Sequence, residues 1–80
     1  MSSTDVFIDF SNNGDGIIEV IYDDIHGISQ RFVVRPQQIV RRKMPISQSI
    51  YFTFNRGRFS QNATHNFVNN KTIDVNMYFV

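Results

Sequence analysis

The segment SNNGDGIIEVIY, residues 11–22, gathers oxygen donors and glycines as a cation loop does. A helix–loop–helix calcium site takes ligands from loop positions 1, 3 and 5, turns at a glycine in position 6 and closes with a bidentate Glu at position 12. With Gly16 at position 6, Ser11, Asn13 and Asp15 fall at ligand positions, but Tyr22 stands where the closing carboxylate belongs. Both flanks alternate apolar and polar residues as strands do. The segment therefore reads as a hairpin loop in which Gly14 or Gly16 supplies a positive φ.

Other groupings offer little chemistry. Asp23, Asp24 and His26 could crowd one metal, yet no second histidine stands at ligand spacing to them, and no metal site is expected. Glu19 is the only glutamate, so paired-carboxylate catalysis would need aspartates from one hairpin face. His65 lies in an Asn-rich stretch and reads as a polar loop residue. Neither a phosphate-cradling glycine loop nor a strand–Ser–helix nucleophile elbow occurs. A protein without catalysis and without a cofactor is the expectation.

Arginines beside aromatics are the remaining signal. RPQQIVRRKMP (35–45) carries Arg41, Arg42 and Lys43, and SIYFTFNRGRFS (49–60) carries Tyr51, Arg56 and Arg58. Single-stranded nucleic acid is held by aromatic faces that stack bases and cations that neutralise phosphates, so these six are the candidate binding residues. Each also has a structural role to offer. Arg41, Arg42 and Lys43 would blunt a sheet edge, Arg56-Gly57-Arg58 would form a charged hairpin tip, and Phe52 and Phe54 would pack in the core.

The elements that must position these residues are strands. Runs rich in Val, Ile, Phe and Tyr with two-residue alternation span 5–10, 17–23, 28–35, 49–56 and 72–80, with a weaker sixth at 37–43 between Pro36 and Pro45. The prolines make that sixth segment an edge strand, a short helical turn or a loop. The stretch 60–72 reads as a loop. Parity places Val6, Ile8 and Phe10 on the core face of the first strand and Ile18, Val20 and Tyr22 on that of the second, joined as a hairpin. A three-residue turn at Ile25-His26-Gly27 then sends Ile28, Phe32 and Val34 inward and Ser29, Arg31, Val33 and Arg35 outward. In this arrangement Asp5, Asp9, Glu19 and Asp23 share one outer face, relieved by Arg31 and Arg35 on the adjoining strand.

Charge is ordered along the chain. Residues 1–24 hold six acids and no Lys or Arg, residues 25–73 hold all eight bases and no acid, and only Asp74 follows, for a net charge of +1. The two halves either cancel across strand pairs or present opposite faces. Eighty residues make one domain, and no cysteine is present to staple it. The N-terminal residues lack a basic region and a long apolar run, so a cytoplasmic protein without a signal peptide or membrane contact is expected.

These readings combine into a single all-β domain over 1–80, a small barrel or two-layer sandwich of five to seven mostly antiparallel strands. The leading functional expectation is a protein-interaction or self-assembly module that uses strand edges and complementary charged faces, with a protein partner or a homo-oligomer. Nucleic-acid binding through the basic segment 31–58 is the alternative, and carbohydrate binding by Asn, Asp and Tyr side chains is a further one.

Overall fold

A computed structural model describes residues 5–79. Seven strands form two sheets: β1 (Asp5–Ser11), β2 (Ile18–Asp23), β3 (Ser29–Val34), β4 (Ile39–Pro45), β5 (Ser49–Arg56), β6 (Phe59–Asn66) and β7 (Lys71–Asp74), followed by a 3-10 helix at Val75–Phe79. One sheet runs β4-β1-β7 and the other β3-β2-β5-β6. All pairings are antiparallel except β1 with β7. The inward residues of both sheets, Val6, Ile8, Phe10, Ile18, Val20, Phe32, Val34, Met44, Ile50, Phe52, Phe54 and Ile73, form a single core, joined by Phe67 after β6 and Val75 of the 3-10 helix. The architecture is a two-layer all-β sandwich. No helix among the described residues is long and apolar enough to cross a membrane.

The first two strands do not form the expected hairpin. β1 lies at the centre of one sheet and β2 in the other, so their inward faces oppose each other across the core. Alternation selects the inward residues correctly, because it reports only which way side chains point. It is blind to whether two inward faces are neighbours in one sheet or partners across two.

Residues 12–17 make a corner between the sheets, and fully buried Asn12 holds it. Its Nδ2 donates to the carbonyls of Gly16 and Val34, at 2.8 and 2.9 Å, and its Oδ1 accepts from the Gly14 N–H at 2.9 Å. Its backbone also exchanges hydrogen bonds with Gln37 and Gln38. The two glycines serve close approach rather than positive φ, which among the glycines occurs only at Gly27 and Gly57. A Cβ at Gly14 would stand 2.5 Å from Asn76 Oδ1, and one at Gly16 3.0 Å from Arg56 Nε.

Separation of β1 from β2 also divides the acids. Asp5 and Asp9 belong to one sheet, and Glu19 and Asp23 to the other. Asp9 receives Arg41 from β4 at 2.8 Å, and Glu19 receives Arg31 from β3 at 3.3 Å. Acidic front and basic middle thus cancel in part within each sheet.

The β2–β3 hairpin closes around the expected turn Ile25-His26-Gly27: beyond the last ladder pair, Asp23 with Ser29, Asp24 N–H donates to Ile28 O at 2.9 Å, and Phe32 and Val34 are buried. Ile28 departs from its inward assignment and is 59% exposed, since it lies beyond the ladder's last pair. The weaker sixth segment is an edge strand, β4. Pro36 sits in a turn closed by Gln38 N–H donating to Arg35 O at 3.0 Å, with Gln37 at φ 65. Pro45 ends β4.

Two expectations are corrected at the C-terminal side. Residues 60–66 of the anticipated loop are strand β6, hydrogen-bonded to β5 along its length. The anticipated strand 72–80 stops at Asp74, whose Oδ1 accepts from Asn76 N–H at 3.0 Å and starts a helical turn. That turn stacks Tyr78 on Phe54 with centroids 4.1 Å apart. Val80, the end of the anticipated strand, lies outside the described residues.

Candidate interaction edge and groove

The β5–β6 hairpin closes through the two-residue loop Gly57-Arg58, with Arg56 opposite Phe59. Gly57 has φ 59 while Arg58 does not share a positive φ. This is the type II′ pattern, with glycine at the first central position, whose twist matches that of the strands it joins. In such a loop the flanking residues form a hydrogen-bonded pair, and pairs alternate from there. Phe59, Gln61, Ala63 and His65 therefore bond to β5, while Ser60, Asn62, Thr64 and Asn66 direct their backbone N–H and C=O groups away from it.

Those four residues face open solvent, because β6 ends its sheet. Sheet edges are ordinarily blunted by Lys, Pro, bulges or brevity. β6 has none of these devices. Its sequence FSQNATHN carries no Lys, Arg, Asp, Glu or Pro, and its register with β5 runs unbroken over eight residues. The side chains of Ser60, Asn62, Thr64 and Asn66 lie on the outer face beside Asn55, Thr53, Tyr51 and Ser49, and Thr53 Oγ1 donates to Asn62 Oδ1 at 3.0 Å.

The inner side of β6 is anchored. His65 lies parallel to Phe67 with centroids 5.5 Å apart, meets the edge of Phe52 and hydrogen-bonds the Tyr78 hydroxyl. Burial, and secondarily the charge of Lys71, lowers the His65 pKa, whereas burial raises that of Tyr78.

At the hairpin end the sandwich opens into a groove of about 910 Å³, lined among others by Asp15, Ile17, Arg56, Arg58, Phe59 and Phe79. Ile17 and Phe59 are exposed, at 51% and 62%. The Arg58 guanidinium lies 5.7 Å from the Phe59 ring centroid, and the Arg56 side chain crosses the bare backbone of Gly16. Among the described residues, neither arginine has an ion-pair partner.

The six basic and aromatic candidates do not share one surface. Arg56 and Arg58 meet in the groove. Arg41 points outward from the other sheet, and its Nε and Nη2 grip both oxygens of Asp9, at 2.8 and 3.2 Å. That hydrogen bond, reinforced by the guanidinium's charge, holds the Asp9 carboxyl below the usual range. Arg42 turns inward at the edge of its sheet and lies 4.7 Å over the Phe32 ring, sealing the flank between β4 and β3. Lys43 reaches a smaller cavity of about 230 Å³ with Asp23, Asp24 and Ser49, at the end of β5 away from Arg56. Tyr51 is 59% exposed on the outer face of the other sheet.

Asp24 is engaged in holding the β2–β3 turn. Its carboxylate accepts from the N–H groups of His26 and Ile28 and from Gln30 Nε2, and these hydrogen bonds lower its pKa. Among the described residues, no group of three His, Cys, Asp or Glu side chains is placed to hold a metal.

The edge residues Ser60, Asn62, Thr64 and Asn66 escaped the sequence reading because Asn and Ser are turn formers by composition. A signal was present: Ala63, His65 and Phe67 alternate with Asn62, Thr64 and Asn66, beginning four residues after the Gly57-Arg58 loop. No protein-family model, curated protein or solved structure matches this chain.

Proposed function

We propose that this protein is a non-catalytic interaction module whose binding element is the free edge of β6. The observation that carries the reading is an eight-residue edge strand with neither charge, proline nor bulge. An extended segment laid along such an edge gains main-chain hydrogen bonds from alternate residues, and its side chains supply the specificity. Here the donors and acceptors are those of Ser60, Asn62, Thr64 and Asn66, and the occupant is a strand of a partner protein or of a second copy.

Amide hydrogen exchange tests this at the four residues themselves. Their amides are expected to gain protection as protein concentration rises, or on adding a Thr-Val hexapeptide, while Thr64→Pro abolishes the effect and leaves the core amides protected. Proline is tolerated where the N–H it removes faces solvent. Free exchange of all four amides at millimolar protein, with and without millimolar peptide, would sink the reading.

A further inference from the structure

We infer that the groove at the β5–β6 turn receives the free C-terminal carboxylate of an extended partner peptide whose last side chain is apolar. This rests on the strand-edge reading of β6 and names the partner chemistry that the adjoining groove selects.

Direction comes first. β6 leaves the Gly57-Arg58 turn at Phe59 and runs away from it to Asn66. A strand added antiparallel to β6 therefore runs toward the turn and terminates beside it, where Arg56 and Arg58 stand. Alternation comes next. Residues of the added strand that lie beside Phe59 and Gln61 share their inner face, so the terminal side chain enters the groove among Ile17, Phe59 and Phe79.

Charge then decides between ligand classes. Arg56 and Arg58 bring two positive charges without an ion-pair partner among the described residues, and Asp15 on the same groove brings one negative charge. The balance of one positive charge matches a single carboxylate better than a phosphate chain, and guanidinium groups suit carboxylate geometry. Exposed apolar walls beside the cations call for an apolar side chain next to the anion. A chain terminus supplies both on one residue.

The test uses acetyl-Thr-Val-Thr-Val-Thr-Phe as the free acid and as the C-terminal amide, titrated into the isotope-labelled full chain and followed by amide shifts. Acid is expected to bind about tenfold or more tightly than amide, the usual scale for a hydrogen-bonded charge. Arg56→Gln and Arg58→Gln should each narrow that difference, and the double variant should erase it. Thr64→Pro should abolish binding of acid and amide alike. Equal binding of the two peptides along β6 would overturn the C-terminal inference and leave the strand-edge reading standing. Absence of any response at β6 from either peptide, with no protection gained there as protein concentration rises, would remove both. Displacement of the acid peptide from the groove by a mixed-sequence single-stranded RNA oligomer at comparable concentration would reassign the arginines to phosphate and overturn the proposal.

Discussion

Asn12 shows how one polar side chain can set a corner. Fully buried, it satisfies two carbonyls from different segments and one N–H, and the carboxamide of Asn76 lies 2.7 Å from its Oδ1. Asn12→Ala removes the partners of the Gly16 and Val34 carbonyls, so a loss of about 1–3 kcal/mol is expected in urea unfolding. His65 makes a different prediction, in pH. Its pKa in the folded chain lies below the ordinary 6.5 because burial disfavours the imidazolium. The unfolded chain then binds more protons near that pH, so stability rises with pH through this window. The contribution is complete above 6.5 and is lost as pH falls through it toward the lower folded value. Thermal melts of the parent and His65→Gln between pH 7.5 and about 5 should converge as pH falls. A constant offset between the two would rule out this titration.

Turn chemistry governs the β5–β6 hairpin, which builds both edge and groove. Gly57 adopts φ 59 with nothing within 4 Å of where a Cβ would stand, so only backbone conformation opposes a larger residue. Gly57→Ala should cost about 1–2 kcal/mol without a clash, visible as a fall in Tm. It should also raise hydrogen exchange at Phe59 and Gln61 before the core strands. β4 contrasts with β6. It too ends a sheet, but it carries Arg41, Arg42 and Lys43, and Arg42 folds over Phe32 to close the flank. Charge has thus blunted the β4 edge and left the β6 edge open, and this contrast is the ground for the interaction proposed at β6.

Across the whole molecule, stability rests on one aromatic-rich core. Phe52 is fully buried and contacts Phe10, Tyr22, Phe54, His65 and Phe67 at centroid distances of 5.4–6.2 Å. It therefore joins both sheets and the inner anchor of β6. Phe52→Ala should cost about 3–5 kcal/mol, a large share of the total for a domain of this size. Chemical denaturation should find the variant largely unfolded or strongly shifted in midpoint. Retention of the parental midpoint would show that the core repacks around the gap.

By itself, the sequence determined the all-β class, the inward residues of most strands and the three-residue turn at Ile25-His26-Gly27. These follow from two-residue alternation and turn composition, which are local. Local signals also marked Arg56-Gly57-Arg58 as a hairpin tip and Phe52 and Phe54 as core. Only the tertiary structure decided which inward faces share a sheet. It placed β1 against β4 and β7 rather than β2, dispersed the six binding candidates, and drew Asn-rich residues into β6 because Ala63 and His65 find burial against β5 and Tyr78. It also ended β7 at Asp74, where the chain turns and Tyr78 stacks on Phe54. Partner choice between strands depends on long-range packing and loop closure, and alternation along one strand carries no record of either.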